Sequence, residues 1–234
     1  MNSLLPADLP GVLYTASTWV LPVLIAITFH EAAHGFVAWR LGDPTAYERG
    51  RVTFNPLRHV DPFGTILLPT LLLISPLPFV FGWAKPVPVA FYRLRHPRRD
   101  MILVAAAGPG MNFGLALVSA LLLNIAVLAP ESLANWLVLN LAHAILINLL
   151  LAVFNMLPLP PLDGGRVAVG LLPQALAVPL ARLERYGLFI LVGALFLLPM
   201  LSQRLGTEIN LFGWLIWRPV QWLLPIFFRL GGVG

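Results

Sequence analysis

At 234 residues, 59% hydrophobic and 11% charged, with a mean hydropathy of +0.84, the chain carries far less charge than the about one quarter typical of soluble domains. A domain of this size has too much surface to hide so much apolar side chain, which excludes an ordinary soluble globule and points to a bilayer. The net charge of +5 comes from 14 Arg and one Lys set in short blocks between apolar runs, the pattern of membrane topology rather than of a nucleic-acid face; with no Cys, disulfides and thiolate metal ligands are excluded as well.

In chain order, residues 1–11 carry no positive charge and do not read as a cleavable signal peptide. The first long apolar segment covers residues 12–41 and contains His30, Glu31 and His34. The second, 63–81, is shorter and is broken by Pro69, Pro76 and Pro78. The third and fourth cover 101–128 and 133–157. The fifth, 186–201, needs a few flanking residues to span. The last, 209–228, has Arg218 and Pro219 near its middle, ringed by Trp214, Trp217 and Trp222. It reads equally as a span or a surface helix. There is no internal repeat. The expectation is one all-α polytopic membrane domain over 1–234, with a core at about 12–170 and accessory helices at about 175–230.

Basic blocks set the topology. Arg40, Arg49, Arg51 and Arg58 follow the first segment. Lys85, Arg93, Arg95, Arg98 and Arg99 precede the third, and Arg166, Arg182 and Arg185 follow the fourth. By the positive-inside rule all three lie in the cytoplasm, with the N-terminus outside. A single crossing by 63–81 would put adjacent basic blocks on opposite sides. Either 63–81 is re-entrant, dipping beside a polar cavity and returning, or it is a Pro-kinked span that breaks the charge rule. Residues 84–92 (AKPVPVAFY) alternate and hold two prolines, which suits an edge strand, an extended segment or a plain linker.

His30-Glu31-Ala32-Ala33-His34 is an H-E-x-x-H pattern. Helical residues four apart lie about 40° apart and about 6 Å along the axis, so both imidazoles reach one metal ion. Glu31 points aside, where it meets a water rather than the metal. Zinc brings water's pKa towards about 7, within reach of a carboxylate base. A bare Glu in an apolar helix is costly, and a divalent cation offsets it; the alternative is a hydrogen-bonded structural cluster. A catalytic zinc takes three protein ligands, and among ten acidic residues Asp163 stands out. It follows the helix-ending prolines of Asn155–Pro161 and precedes Gly164-Gly165, which permit unusual backbone geometry. By itself Asp163 also reads as an Asp-Gly turn or a helix N-cap. In the fourth segment, Asn140, His143, Asn148 and Asn155 share one helical sector. Asn140 and Asn148 read as interhelical hydrogen-bonding groups and His143 as a structural histidine. His96 reads as part of a basic loop.

FHEAAH at 29–34, AGPGMN at 107–112 and NMLPLPPLDGG at 155–165 resemble the site-2 protease family of intramembrane zinc metalloproteases. GRVTFNPLRHVDPFGT at 50–65 and FGWAKPVPV at 81–89 look like its compact bacterial branch without a PDZ domain. The resemblance covers about residues 20–170. It implies one Zn2+ per chain held by His30, His34 and Asp163, with Glu31 as the base. It also implies that Asn155 supports the active site and that Asn112 sits on the central core helix. The family's three core helices run out–in, in–out and out–in, the order the basic blocks give if 63–81 does not cross.

The expected partners are a transmembrane protein substrate, such as a signalling precursor or a leftover signal peptide, and the lipid bilayer. A helical substrate must unwind, and the 84–92 edge, at Lys85, Val87 and Val89, offers strand addition to the extended form. His59 reads either as a gate for water or substrate or as a loop histidine. Arg-rich composition fits a prokaryotic plasma membrane. The rival readings are a cation (zinc) transporter, which would show a repeated architecture, and an inactive transmembrane-helix-binding protein, which would lack a ligand or Glu31.

Overall fold

The structure, a computed structural model, describes residues 9–75, 82–126, 128–207 and 209–232. Its helices are α1 (Leu9–Arg40), α2 (Thr45–Glu48), α3 (Leu68–Ile74), α4 (Pro97–Ala126), α5 (Glu131–Asn155), α6 (Asp163–Leu171), α7 (Gln174–Arg182), α8 (Glu184–Val192), α9 (Leu198–Arg204) and α10 (Arg218–Leu230). Four stretches are long and apolar enough to cross a membrane: Pro10–Arg40, Pro97–Ala126, Leu133–Asn155 and Glu184–Ser202. They coincide with the first, third, fourth and fifth apolar segments. The protein is an all-α polytopic membrane protein.

Three of these helices form the core. α1 and α4 are antiparallel, since Ala26 and His30 meet Asn112 while His34 meets Val104. α1 and α5 are parallel: Trp136 Nε1 donates to Ser17 Oγ and His143 Nδ1 donates to the Thr18 carbonyl. These relative directions are those of the out–in, in–out, out–in order. α4 begins well for a helix, with Pro97 at its first position and the buried Asp100 carboxylate accepting the His96 N–H at 2.8 Å. α5 stops where Pro158, Pro160 and Pro161 deny it further backbone donors.

The second apolar segment begins with a π-helical turn, Pro62–Leu67, capped by the Asp61 carboxylate on the Phe63 and Gly64 N–H groups. α3 continues it. The two pieces, of 6 and 7 residues, rise roughly 20 Å together, short of the ~30 Å hydrocarbon core. Residues 76–81 lie outside the described residues. The chain is back at its starting point by Trp83, whose N–H donates to the Gly64 carbonyl at 3.0 Å. Its carbonyl accepts from Thr65 Oγ1 at 2.8 Å. A segment whose two ends meet does not carry the chain across a bilayer, as a re-entrant loop requires.

From residue 83 to 90 the chain forms an extended strip. Among the described residues no strand forms. Pro86 and Pro88 remove alternate donors, and those that remain go elsewhere: Lys85 N–H to the His59 carbonyl at 2.9 Å and Ala90 N–H to buried Asp43 Oδ2 at 2.6 Å. The extended alternative therefore holds and the strand does not.

The last apolar segment is a π-helical turn, Gly213–Trp217, running into α10. It is not among the four candidate spans, yet it does not lie apart from them. Val220 is fully buried against Ala116, Ala120, Leu123, Ile145 and Leu149 of α4 and α5, and Asn124 Nδ2 donates to the Leu230 carbonyl at 3.1 Å.

Candidate metal centre and active site

His30 and His34 lie one turn apart on α1 and converge on Asp163, the first residue of α6. Their Nε2 atoms are 3.0 Å apart. Asp163 Oδ2 is 3.2 Å from His30 Nε2 and 3.3 Å from His34 Nε2. All three residues are buried.

Each imidazole is aimed by its other nitrogen. His30 Nδ1–H donates to Asn112 Oδ1 at 2.6 Å, and His34 Nδ1–H donates to the Val104 carbonyl at 2.7 Å. Asn112 in turn donates to the Ala26 carbonyl at 3.2 Å and to Asn148 Oδ1 at 2.8 Å. This network places the ring protons on Nδ1, so a neutral Nε2 presents only a lone pair. Three acceptor atoms thus face one another with no hydrogen among them, and Asp163 Oδ2 is buried without a hydrogen-bond partner. Such a cluster repels itself unless a cation lies within it. Tetrahedral ligands at about 2.0–2.1 Å from zinc stand about 3.3 Å apart, close to the separations found. The donor set fits the metal, with room for a fourth position on the cavity side.

Glu31 hydrogen-bonds the backbone rather than either ring. Its Oε2 accepts the Val87 N–H at 2.8 Å, which ties the middle of the strip to α1. Glu31, His30, His34 and Asp163 line one cavity of about 470 Å³, together with Val87, Val89, Asn155 and Arg166.

The backbone explains why these groups come so close. A Cβ on Gly108 of α4 would overlap His34 Nε2 and lie 2.6 Å from His30 Nε2, so only glycine lets α4 back onto the site. Gly164 and Gly165 behave similarly, and here the sequence expectation needs correction. Neither has a positive φ. A Cβ on Gly164 would meet the Met156 carbonyl, and one on Gly165 the Pro160 nitrogen. Their value is close approach, which folds the Asn155–Pro161 turn tightly enough to bring Asp163 to α1.

Other expected residues are distributed as follows. Asn155 lines the cavity, its amide donating to the Leu151 carbonyl at 3.0 Å. Asn112 lies behind His30, off the cavity wall. Val87 and Val89 face the cavity, but Lys85 faces a second, basic cavity of about 410 Å³ with Arg49, Arg51 and Arg58. Residues two apart share a face in a regular strand, so Lys85 departs from the alternation that Val87 and Val89 keep. His59 is buried, with Nε2 3.0 Å from the Thr53 carbonyl, and touches the strip through its own carbonyl. His143 stacks on Trp19 with ring centroids 3.8 Å apart. Asn140 differs from expectation: its amide donates within α5, to the Trp136 carbonyl, rather than across helices.

Sequence reasoning missed the Val104 carbonyl, Gly108, the link from Asn148 through Asn112 to His30, and Arg166. The Gly-Pro-Gly of 108–110 inside an apolar helix was the available signal for Gly108. A backbone carbonyl has none. Arg166 was counted only as a topology charge, whereas its guanidinium sits 5.3 Å over Phe91 and pairs with Glu184 at 3.0 Å beside the cavity.

The profile of "Peptidase family M50" matches residues 124–199. "Putative zinc metalloprotease YwhC" of Bacillus subtilis strain 168 is 40% identical over 195 residues, covering 82% of this chain and 85% of that protein. "Putative zinc metalloprotease Rip2" of Mycolicibacterium smegmatis is 32% identical over 184 residues, covering 77% of this chain and 66% of that protein. "Putative zinc metalloprotease MJ0611" of Methanocaldococcus jannaschii is 34% identical over 139 residues, covering 59% and 62%. The chain thus spans most of the Bacillus protein and just under two thirds of the other two. No solved structure matches.

Proposed function

The chain belongs to peptidase family M50 and is a zinc metalloprotease, and we propose that it hydrolyses peptide bonds in or beside the membrane-spanning segments of other membrane proteins. One observation carries this reading. Three proton-free ligand atoms converge among helices apolar enough to span a bilayer, and they open onto the cavity that holds Glu31.

In this reading His30, His34 and Asp163 hold the metal. Zinc in such a site supplies Lewis acidity, which acidifies water towards neutral pH and polarises a peptide carbonyl. Glu31 takes the proton of the attacking water and returns it to the leaving amine, so no covalent enzyme intermediate is needed. Asn112 and Val104 keep both imidazoles in the ligating tautomer. Asn155, on the cavity wall, is placed to donate to the substrate. Val87 and Val89 flank an unwound substrate segment that lies along the strip. The metal and the cavity are reached from a bundle whose long helices face lipid, which suits a substrate that is itself a membrane helix.

In this reading the N-terminus lies outside and the Arg-rich loops lie in the cytoplasm of a prokaryotic cell, which the basic blocks support. The test is co-reconstitution of the zinc-loaded protein with single-pass membrane proteins from the same cell. Wild type is expected to cut within or beside a span, and Glu31→Gln to leave the same proteins intact. Cutting confined to soluble loops, or equal cutting by Glu31→Gln, would overturn the reading.

A further inference from the structure

The motif at residues 50–65 is not accounted for by the metal site, and its Arg51 is unusual. Topology asks only for exposed cations, which Arg49 and Arg58 are, whereas Arg51 is 7% exposed. A buried guanidinium is costly unless its donors are used. Arg51 Nε is buried without a partner, and the hydrogen bonds the side chain does make go to the strip: Nη2 donates to the Lys85 carbonyl at 2.6 Å and lies 3.5 Å from the Pro86 carbonyl. The peptide that follows Pro86 carries the Val87 N–H, which donates to Glu31 Oε2 at 2.8 Å.

The strip can reach α1 because Gly35 lies one turn beyond Glu31 on the same face. A Cβ there would lie 3.1 Å from each of Val87 Cγ1, Val52 Cγ2 and Ala46 Cβ. Pro86 and Pro88 have no N–H, so Lys85, Val87 and Val89 hold the only donors of this run. With no strand partner among the described residues, the orientation of the Val87 amide depends on what grips the carbonyls before it.

We infer that Arg51 is a positioning residue for the reaction: by holding the Lys85 and Pro86 carbonyls it aims the Val87 N–H at Glu31 and so fixes the direction of the base. The inference rests on the reading of Glu31 as that base. Arg51 does not itself line the metal cavity; it holds the strip that walls it, through the Lys85 and Pro86 carbonyls.

The test uses the full-length zinc-loaded protein in detergent, with unfolded β-casein as the probe. Arg51→Gln is expected to lower kcat at least tenfold, with KM within about threefold and zinc still at one per chain. Arg51→Lys, which restores a donor to the Lys85 carbonyl, is expected to recover most of the loss. Val87→Pro, which deletes the donated hydrogen, should lower kcat similarly, and adding Arg51→Gln to it should cost less than threefold more, because both break one path. Exposed Arg49→Gln should behave as wild type. Independently of activity, hydrogen exchange over residues 85–89 should quicken at least tenfold in Arg51→Gln while α4 exchange is unchanged. Wild-type kcat or unchanged exchange in Arg51→Gln would overturn the inference, as would additive losses in the double variant or no rescue by lysine. Glu31→Gln separates the two claims. If it stays active, the base assignment fails; if it is inactive while Arg51→Gln is normal, only the role of Arg51 fails.

Discussion

The cavity has two walls built on different principles. The helical wall consists of α1, α4 and α5, with the start of α6 folded against them. Both imidazoles on it are held by a neighbouring helix, His30 by Asn112 and His34 by the Val104 carbonyl. The opposite wall is the extended strip, gripped at separate points by Arg51, Glu31 and Asp43. Metal binding needs groups fixed to within a fraction of an ångström, which regular packed helices supply. In the proposed reading this wall receives an unwound chain, and its irregular form presents the Val87 and Val89 side chains to the cavity. The comparison teaches where each job resides: substitutions at the ligands and their supports in the helical wall act on zinc, and substitutions in the strip, or at the Glu31 it holds, act on turnover.

The largest effect expected is at Glu31, whose hydrogen bond from Val87 joins the walls. Glu31→Gln should lower turnover by about 100- to 10,000-fold with full zinc content, measured by peptide cleavage beside metal analysis. Zinc loss in this variant would blur the division of labour. Next is Asn112→Ala, which frees the His30 ring and should weaken zinc binding by about 10- to 100-fold, read by competition with a chelator. Gly108→Ala comes third. Its methyl must push against two imidazoles on a rigid helix, at a cost of about 1–3 kcal/mol in thermal or denaturant stability of the zinc-loaded protein. Asp43→Ala, in the strip's support, leaves the Ala90 N–H unpaired at a cost of about 1–3 kcal/mol; zinc affinity should not change, and a loss of zinc would contradict the separation. The smallest effect belongs to Glu184→Gln. The Arg166–Glu184 pair is partly exposed, so its loss should shift stability by about 0–1 kcal/mol.

The helical wall was also the more legible one. Lipid demands about 20 apolar residues per crossing, and that demand writes α1, α4 and α5 directly into the sequence, with boundaries within a few residues of those found. The four-residue spacing of His30 and His34 follows from helix geometry, and the shortage of carboxylates in an apolar chain singled out Asp163. The Arg blocks gave the helix directions and argued against a crossing by 63–81. The strip was less readable because its form is set by contacts far away in sequence. The register of Lys85, Val87 and Val89 depends on Trp83 returning to Gly64, and the failure of a strand to form depends on Arg51, Glu31 and Asp43 taking its hydrogen bonds. Short helices such as α6 and α7, of 9 residues each, carry too few turns for periodicity to declare them. Gly108, Gly164 and Gly165 matter for the atoms they do not have, a role that appears only once the neighbouring chain is in place.

The central claim is that three residues from α1 and α6 form one zinc site and that Glu31 stands beside it without holding the metal. Bound zinc per chain, measured on purified wild type, Glu31→Gln and Asp163→Ala, tests it most directly. The account predicts about one zinc in wild type and in Glu31→Gln, with marked loss in folded Asp163→Ala. Unchanged zinc in Asp163→Ala, or loss of zinc in Glu31→Gln, would contradict it.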